Sequence, residues 1–362
     1  MRSFTYAQLP HRVVFGAGAR SRLVAQAERM GLARVLVLST PGHRALAEDV
    51  SAPLGARVVG LFDGVRPHVP QETVELARRA VQELRADSTL AVGGGSTIGL
   101  GKALGLEPGL PQISVPTTYS GSEMTPNWGI VRDGLKQTGR DARVQPRAVI
   151  YDPELTVTLP PRVTATSGMN ALAHCVEALY SVEQNPITSL VAEEGIRALA
   201  SALPRATRKP DDLEARSEAL YGGFLGGTAL GAVPMALHHK LCHTVGGTFD
   251  LPHAEVHTVL LPHASRYNAE AAQEAMARVA RALGVEDAPA GLFDLARKLD
   301  VPTSLEAIGM RHEDLDRAAD LAAQNPYPNP RPIERAAIRA LLEDAFRGRR
   351  PERSTSPNRS PR

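Results

Sequence analysis

The chain of 362 residues is poor in cysteine, has no long apolar run and carries almost no net charge. Two thiols, Cys175 and Cys242, build no disulfide framework, so a reducing cytoplasm is the expected compartment and each reads as a small apolar core filler. The opening stretch MRSFTYAQLPHRVVFGAG lacks the apolar centre of a signal peptide, and no later segment reads as a bilayer span. The formal charge of +2 conceals an asymmetry: residues 347–362, RGRRPERSTSPNRSPR, hold six Arg against one Glu, which leaves residues 1–346 slightly acidic. That body has no basic surface to suggest nucleic acid. The tail has almost nothing apolar and is expected to be disordered. Internal repeats are also missing.

With 43% hydrophobic and 22% charged residues, the chain can build two soluble domains of ordinary size, each with its own core. Up to about residue 155, short β-branched runs (RVLVLST, RVVGLFDGV, STLAVGGGS, PQISVPTT, RAVIYDPEL) alternate with segments apolar at helical spacing, such as PQETVELARRAVQELRAD. This alternation predicts a mostly parallel sheet covered by helices. After residue 160 the strand signal stops and every apolar pattern has a helical period. The prolines of VTLPPRVTATSG mark the boundary. The expected organisation is an α/β domain over 1–158, an all-helical domain over 159–346 and the basic tail over 347–362, with a cleft between the two domains.

The glycine spacing matches neither the P-loop nor G-x-G-x-x-G. Yet LAVGGGSTIGLGKAL runs from a strand through three glycines into a helix starting near Ser96, a shape that lets backbone N–H groups approach a phosphate. It reads equally as a tight strand-to-helix turn. A second loop, PTTYSGSEMTPNWG, follows the next strand and crowds Thr117, Thr118, Tyr119, Ser120 and Ser122 at the sheet's carboxyl edge. Two such loops after consecutive strands favour a dinucleotide. The second strand ends in Ser39 and Thr40 without the carboxylate that would repel a 2′-phosphate, so both NADH and NADPH are expected to serve.

A carboxylate is also missing from the second half. Asn170 and His174 in GMNALAHCVEALY share one helical face, as two metal ligands would, but the first is a neutral amide. Six of the eleven histidines fall in HHKLCHTVGGTFDLPHAEVHTVLLPH. His239 and His243 lie four apart on a helix, and His253 follows a GG turn at the next helix start. With His174 they predict a functional cleft, whereas His238, His257 and His263 read individually as structural. Three imidazoles suit zinc or ferrous iron, but an amide in place of a carboxylate weakens such a site. It leaves a neutral to cationic pocket suited to an anionic substrate.

Taken in order, FGAG, GGGS, PTTYSGSE, YDPELT, GMNALAH, the His239/His253 pair and NPR at 329–331 resemble the iron-containing alcohol dehydrogenase superfamily over nearly the whole chain. Gly99, Tyr119, Trp128 and NPYPNPRPI further resemble its maleylacetate reductase subgroup. The resemblance implies the dehydroquinate synthase-like fold, an α/β dinucleotide domain with an all-α domain. It also implies a homodimer and family metal positions at Asn170, His174, His239 and His253, with no metal expected. The implied reaction is NAD(P)H-dependent reduction of the C=C bond of 2-maleylacetate to 3-oxoadipate in aromatic catabolism. Gly94, Gly95, Ser96, Thr117, Thr118, Ser122, Thr40 and Lys136 are then the expected cofactor residues. His243 is the expected proton donor, with Tyr119 second and His253 beside them. Asn170, His174, His239, His253, Lys240 and Arg331 are the expected partners of the dianionic substrate, the histidines as donors or partial cations. The alternatives are a metal-dependent alcohol dehydrogenase, a dehydroquinate-synthase-like lyase and a non-enzymatic NAD-binding protein.

Overall fold

Six short strands rich in Val, Ile and Leu pair in parallel throughout, in the order β1-β8-β5-β4-β2-β3. They are β1 (Arg12–Phe15), β2 (Val35–Leu38), β3 (Val58–Phe62), β4 (Ser88–Gly93), β5 (Gln112–Pro116) and, after a hairpin of β6 (Asn127–Arg132) and β7 (Leu135–Arg140), β8 (Ala148–Tyr151). The computed structural model describes residues 4, 6, 11–107, 109–132, 135–324 and 327–352, without the side chains of 135 and 136. Every residue of β2, β4, β5 and β8 is buried, as a parallel sheet covered on both faces requires. The covering helices include α1 (Leu23–Arg29), α2 (Arg44–Ser51), α3 (Gln71–Glu83) and α4 (Gly95–Leu104). Strand order reverses between β2 and β4, so the ends of β2, β4 and β5 meet at the switch point where such sheets bind ligands.

The five expected strands form where the β-branched runs lie. Edge strand β1 and the β6–β7 hairpin are additions, each too short or too polar to stand out in sequence. FGAG and YDPEL hold each other: buried Asp152 accepts from the Gly18 and Arg20 N–H groups and from the Arg20 guanidinium.

All later helices belong to the second half: α5 (Pro161–Ala178), α6 (Pro186–Arg208), α7 (Leu213–Ala232), α8 (Leu237–Thr248), α9 (His253–Asn268), α10 (Gln273–Leu283), α11 (Ala288–Lys298), α12 (Leu315–Ala323) and α13 (Arg335–Phe346). Helix α5 is buried continuously from Thr164 to Ala178 and is the central post, packed by α6, α7 and α9. The polar side chains it carries are therefore interior by construction. Gly246 and Gly247 lie inside α8 rather than in a turn; the chain reverses over 249–252, where Asp250 takes φ +51°.

No single helix among the described residues is long and apolar enough to cross a membrane. The expected tail begins with ordered chain. Arg349 pairs with Asp344 and Arg350 with Asp294, and Pro351 is buried, because these arginines find acidic partners on the helical surface. Residues 353–362 lie outside the described residues.

Candidate active site

On the α/β side, β4 ends at Gly93 with φ +153°, where a Cβ would stand 2.5 Å from Thr97 Oγ1. Helix α4 then starts without a side-chain cap, and the first N–H groups of a helix have no partner within it. A Cβ on Gly94 would lie 2.9 Å from the Thr118 methyl, and Thr97 Oγ1 is buried with no partner. Such a cradle fits a pyrophosphate. The Thr117 N–H donates to Gly93 O (3.1 Å) and ties the two strand ends together. Thr117 is buried, while Gly94, Gly95, Ser96, Thr118 and Ser122 are half-buried. Thr40 at the end of β2 holds His43 Nδ1 at 2.9 Å. Lys136 is in β7, and its side chain is outside the described atoms.

Sequence reading missed Lys102, which is buried on α4. Its ammonium donates to Ser122 O (2.8 Å) and Thr125 Oγ1 (3.0 Å), joining the cradle helix to the second loop. Burial pulls its pKa down to about 7, against the opposing charge of Glu123. On its far side this loop meets α5: the Tyr119 N–H donates to Ser167 Oγ (2.9 Å), one turn before Asn170.

On the helical side, Asn170, His174 and Glu177 follow one another at i, i+4 and i+7 along α5 and share a face. The turn after α7 delivers α8 with His239 in its first turn and His243 one turn on; α9 supplies His253 and His257. The ring centroids converge: His174–His239 5.1 Å, His239–His257 4.9 Å, His253–His257 4.4 Å and His243–His253 6.2 Å, the last pair stacked. Burial grades inward, from exposed His243 through half-buried His253 to buried His257, His239, His174 and Asn170. Four buried atoms here have no partner: Asn170 Oδ1, His174 Nδ1, His239 Nε2 and His257 Nε2. His257, expected to be structural, is thus part of the cluster, and His238 supports it through a ring hydrogen bond of 3.0 Å.

The expectation of partial cations fails at His174. Burial first, then the neighbouring imidazoles, push the pKa values of His174 and His257 well below the usual 6.5, and His238 falls to about 3. These rings are neutral and offer one N–H each. Nor is the pocket free of carboxylate. Fully buried Glu177 accepts the His239 ring Nδ1 (2.5 Å) and the backbone N–H groups of His238 (2.8 Å) and His239 (3.3 Å). Burial raises its pKa, but the interaction and hydrogen bond with the His239 ring outweigh that and hold the carboxyl below its ordinary range. Sequence reading missed Glu177, although it lies in the same helix as Asn170 at helical spacing and that period could have found it.

Two expected residues are placed elsewhere. Tyr119 is fully buried, and its hydroxyl accepts from Arg216 (3.2 Å). Arg331 is exposed, its guanidinium 4.3 Å over the Tyr267 ring, fourteen residues and about 20 Å along α9 from His253. The NPR motif acts instead through Asn329, which exchanges hydrogen bonds with Asn268 and accepts the Leu237 N–H at the start of α8. Lys240 is half-buried with its ammonium 5.7 Å over the Tyr327 ring.

An anion cradle at the switch point of a parallel sheet, joined through one loop to a buried histidine cluster, is the layout of an oxidoreductase site. The chain belongs to the iron-containing alcohol dehydrogenase family: the iron-containing alcohol dehydrogenase model matches residues 10–153, and the C-terminal model of the same family matches 164–346. It is 58% identical over 351 residues to a maleylacetate reductase of Burkholderia cepacia, covering 97% of this chain and 100% of that protein. Two solved structures are similar throughout. Maleylacetate reductase from Agrobacterium tumefaciens is 50% identical with a TM-score of 0.94, and that from Rhizobium sp. strain MTP-10005 is 49% identical with a TM-score of 0.93; each match covers 97% of this chain and 100% of the other.

The family name implies iron, and the residues present fit it poorly. Its four positions hold three imidazoles and the amide of Asn170, a weak donor for such an ion. Among the described residues, His174, His239 and His253 do not bring three ligand atoms within 4.8 Å of one another. The group that does is His238, Cys242 and His257, and it is bonded to itself through His238. Its thiol, pushed well up by burial and by Glu177, stays protonated.

Proposed function

We propose that this chain reduces the carbon–carbon double bond of 2-maleylacetate to give 3-oxoadipate, with NADH or NADPH as reductant, in the breakdown of aromatic compounds. The observation that carries the reading is the set of four unpartnered buried atoms on Asn170, His174, His239 and His257. Buried polar groups need partners, and this set offers neutral amide and imidazole groups where the family's metal positions would offer an anionic ligand. Relatives at 50% identity and above bear the name of that activity.

The N–H groups around Gly94, Gly95 and Ser96 would hold the pyrophosphate, with Thr40, Thr117, Thr118, Ser122 and Lys136 along the rest of the dinucleotide. When bound, NAD(P)H supplies a hydride. Addition beta to the ketone builds negative charge on the substrate's carbonyl oxygen, and the amide of Asn170 and the N–H of His174 stabilise it by hydrogen bonding. Glu177 keeps a ring hydrogen of His239 on Nδ1 and so fixes the orientation of that ring. Lys240, next to His239, meets a substrate carboxylate. His243, exposed and stacked on His253, takes protons from solvent and delivers one to the enolate carbon, directly or through water. A homodimer formed through the α/β domains, in the cytoplasm, completes the reading.

The test is NADH oxidation with maleylacetate and with simple aldehydes, each with and without chelator. Chelator-insensitive oxidation with maleylacetate is expected. Oxidation that runs only with aldehydes and stops with chelator would establish the metal-dependent alcohol dehydrogenase instead. NADPH should serve within about a thousandfold of NADH, roughly 4 kcal/mol.

A further inference from the structure

Arg216 on α7 is fully buried, and none of its hydrogen-bond partners is a carboxylate. Its guanidinium donates to the Tyr119 hydroxyl (3.2 Å), Thr164 Oγ1 (2.6 Å), Leu159 O (3.2 Å) and Val157 O (3.4 Å), and its Nε donates to Pro210 O (2.9 Å). Those partners belong to the second loop, the first turn of α5, the connection between the two halves and the turn before α7. A permanently charged group is costly to bury, and here it joins segments from both halves of the chain.

The same face of α7 continues seven, eleven and fifteen residues later with Gly223, Gly227 and Gly231. Each lies backbone-to-backbone against the loop that Arg216 holds. A Cβ on Gly223 would stand 3.1 Å from Tyr119 Cβ, one on Gly227 2.4 Å from Gly121 O, and one on Gly231 2.8 Å from Met124 O. The loop over 119–125 is thus laid along α7, fixed at one end by Arg216 through Tyr119, while Lys102 grips Ser122 and Thr125 from α4. This loop bonds both to the cradle helix and to α5 beside Asn170.

We infer that Arg216 is a positioning residue for hydride transfer: acting through the Tyr119 hydroxyl and the glycine face of α7, it sets where the loop carrying Ser122 stands relative to the histidine cluster. The inference rests on the proposed function, in that this loop is taken to hold the nicotinamide half of the cofactor. Transfer of a hydride is sensitive to small displacements, and a shift of about 1 Å can cost about a hundredfold in rate. A brace that works this way acts on kcat rather than on stability alone.

Two mild variants test it, Tyr119→Phe, which removes one acceptor from Arg216, and Gly223→Ala, whose methyl displaces Tyr119 by a few tenths of an ångström. The measurements are steady-state kinetics with NADH and NADH deuterated at C4, NADH affinity by fluorescence, and Tm. The expected result is a fall in kcat of about tenfold with a larger deuterium isotope effect, since the transfer step becomes more rate-limiting. If only one variant folds, that variant carries the test. Wild-type kcat and isotope effect in every folded variant, with a change in Tm alone, would make the brace merely structural and overturn the inference. A wild-type chain that binds no NADH would overturn the proposed function as well, so the two failures are distinguishable.

Discussion

Glu177 and His239, sixty-two residues apart, share one buried hydrogen bond of 2.5 Å between carboxylate and ring Nδ1. The same carboxylate also accepts two backbone N–H groups at the start of α8, so it fixes the helix and the ring together. This gives Glu177 two separable duties. Its charge sets the tautomer of His239, and its two oxygens satisfy the orphan donors of a helix N-terminus.

Glu177→Gln keeps the shape and one acceptor but removes the charge. It also turns an NH2 group toward a donor that had been satisfied, which costs about 1–3 kcal/mol. The expected outcome is a fall in kcat/KM for maleylacetate of about a hundredfold with NADH affinity within a few-fold of wild type, and a lower Tm. Kinetics, fluorescence titration and thermal melts check these three. Unchanged kinetics with a lowered Tm would reduce Glu177 to a helix cap.

His243 is exposed and stacked on His253, so replacing it opens little core. His243→Ala is expected to lower kcat by about a hundredfold while NADH binding and Tm stay near wild type. Partial recovery by added imidazole would locate the loss in proton delivery. A kcat within a few-fold of wild type would remove His243 from the mechanism.

Acid stability should track the buried histidines, and His263 isolates the effect because it stands apart from the cluster. Burial pulls its pKa from the usual 6.5 to about 4, with Asp344 opposing. The unfolded chain therefore takes up a proton below pH 6.5 that the folded chain refuses until about pH 4. Stability is complete above pH 6.5 and falls as the pH drops through that window, by about 2 kcal/mol at pH 5. Urea midpoints at pH 7.5 and 5.0 should separate less in His263→Leu than in wild type. An equal separation would mean that the imidazole titrates normally in the folded state.

How much of this was readable in advance depends on how local each signal is. Asn170 and His174 were legible because four residues of helix put them on one face, whereas Glu177, three residues further at the same period, was passed over. The glycine cradle was legible because a strand ending in Gly93 and a helix starting at Gly95 are neighbours in the chain. Arg216 was not: its partners Tyr119 and Thr164 lie ninety-seven and fifty-two residues away, and one arginine in an ordinary helical stretch reads as surface. Arg331 failed in the opposite sense. Its motif was recognisable, but the residue in it that makes the internal bonds is Asn329, and motif membership carries no information about direction.

Asn170 is the position where charge decides between two chemistries. It is buried on the face it shares with His174 and the ionised Glu177, and its Oδ1 is unpartnered. An Asp there would add a second carboxylate to that face and a negative charge toward a dicarboxylate substrate. At about 4 Å and an effective dielectric near 20, each such repulsion is on the order of 4 kcal/mol. A divalent cation would offset it, and the same Asp would complete a set with His174, His239 and His253 that zinc or iron accepts. Asn170→Asp is therefore expected to raise KM for maleylacetate by at least about tenfold and to tighten zinc binding. The unaltered chain, purified without added metal, should contain far less than one iron or zinc and keep its activity in chelator. Kinetics of the two proteins, with metal analysis by mass spectrometry and calorimetric zinc titration, measure all four quantities. Stoichiometric metal in the unaltered chain, with activity lost on its removal, would mean that the amide is a tolerated ligand and that the substrate meets an ion instead of donors.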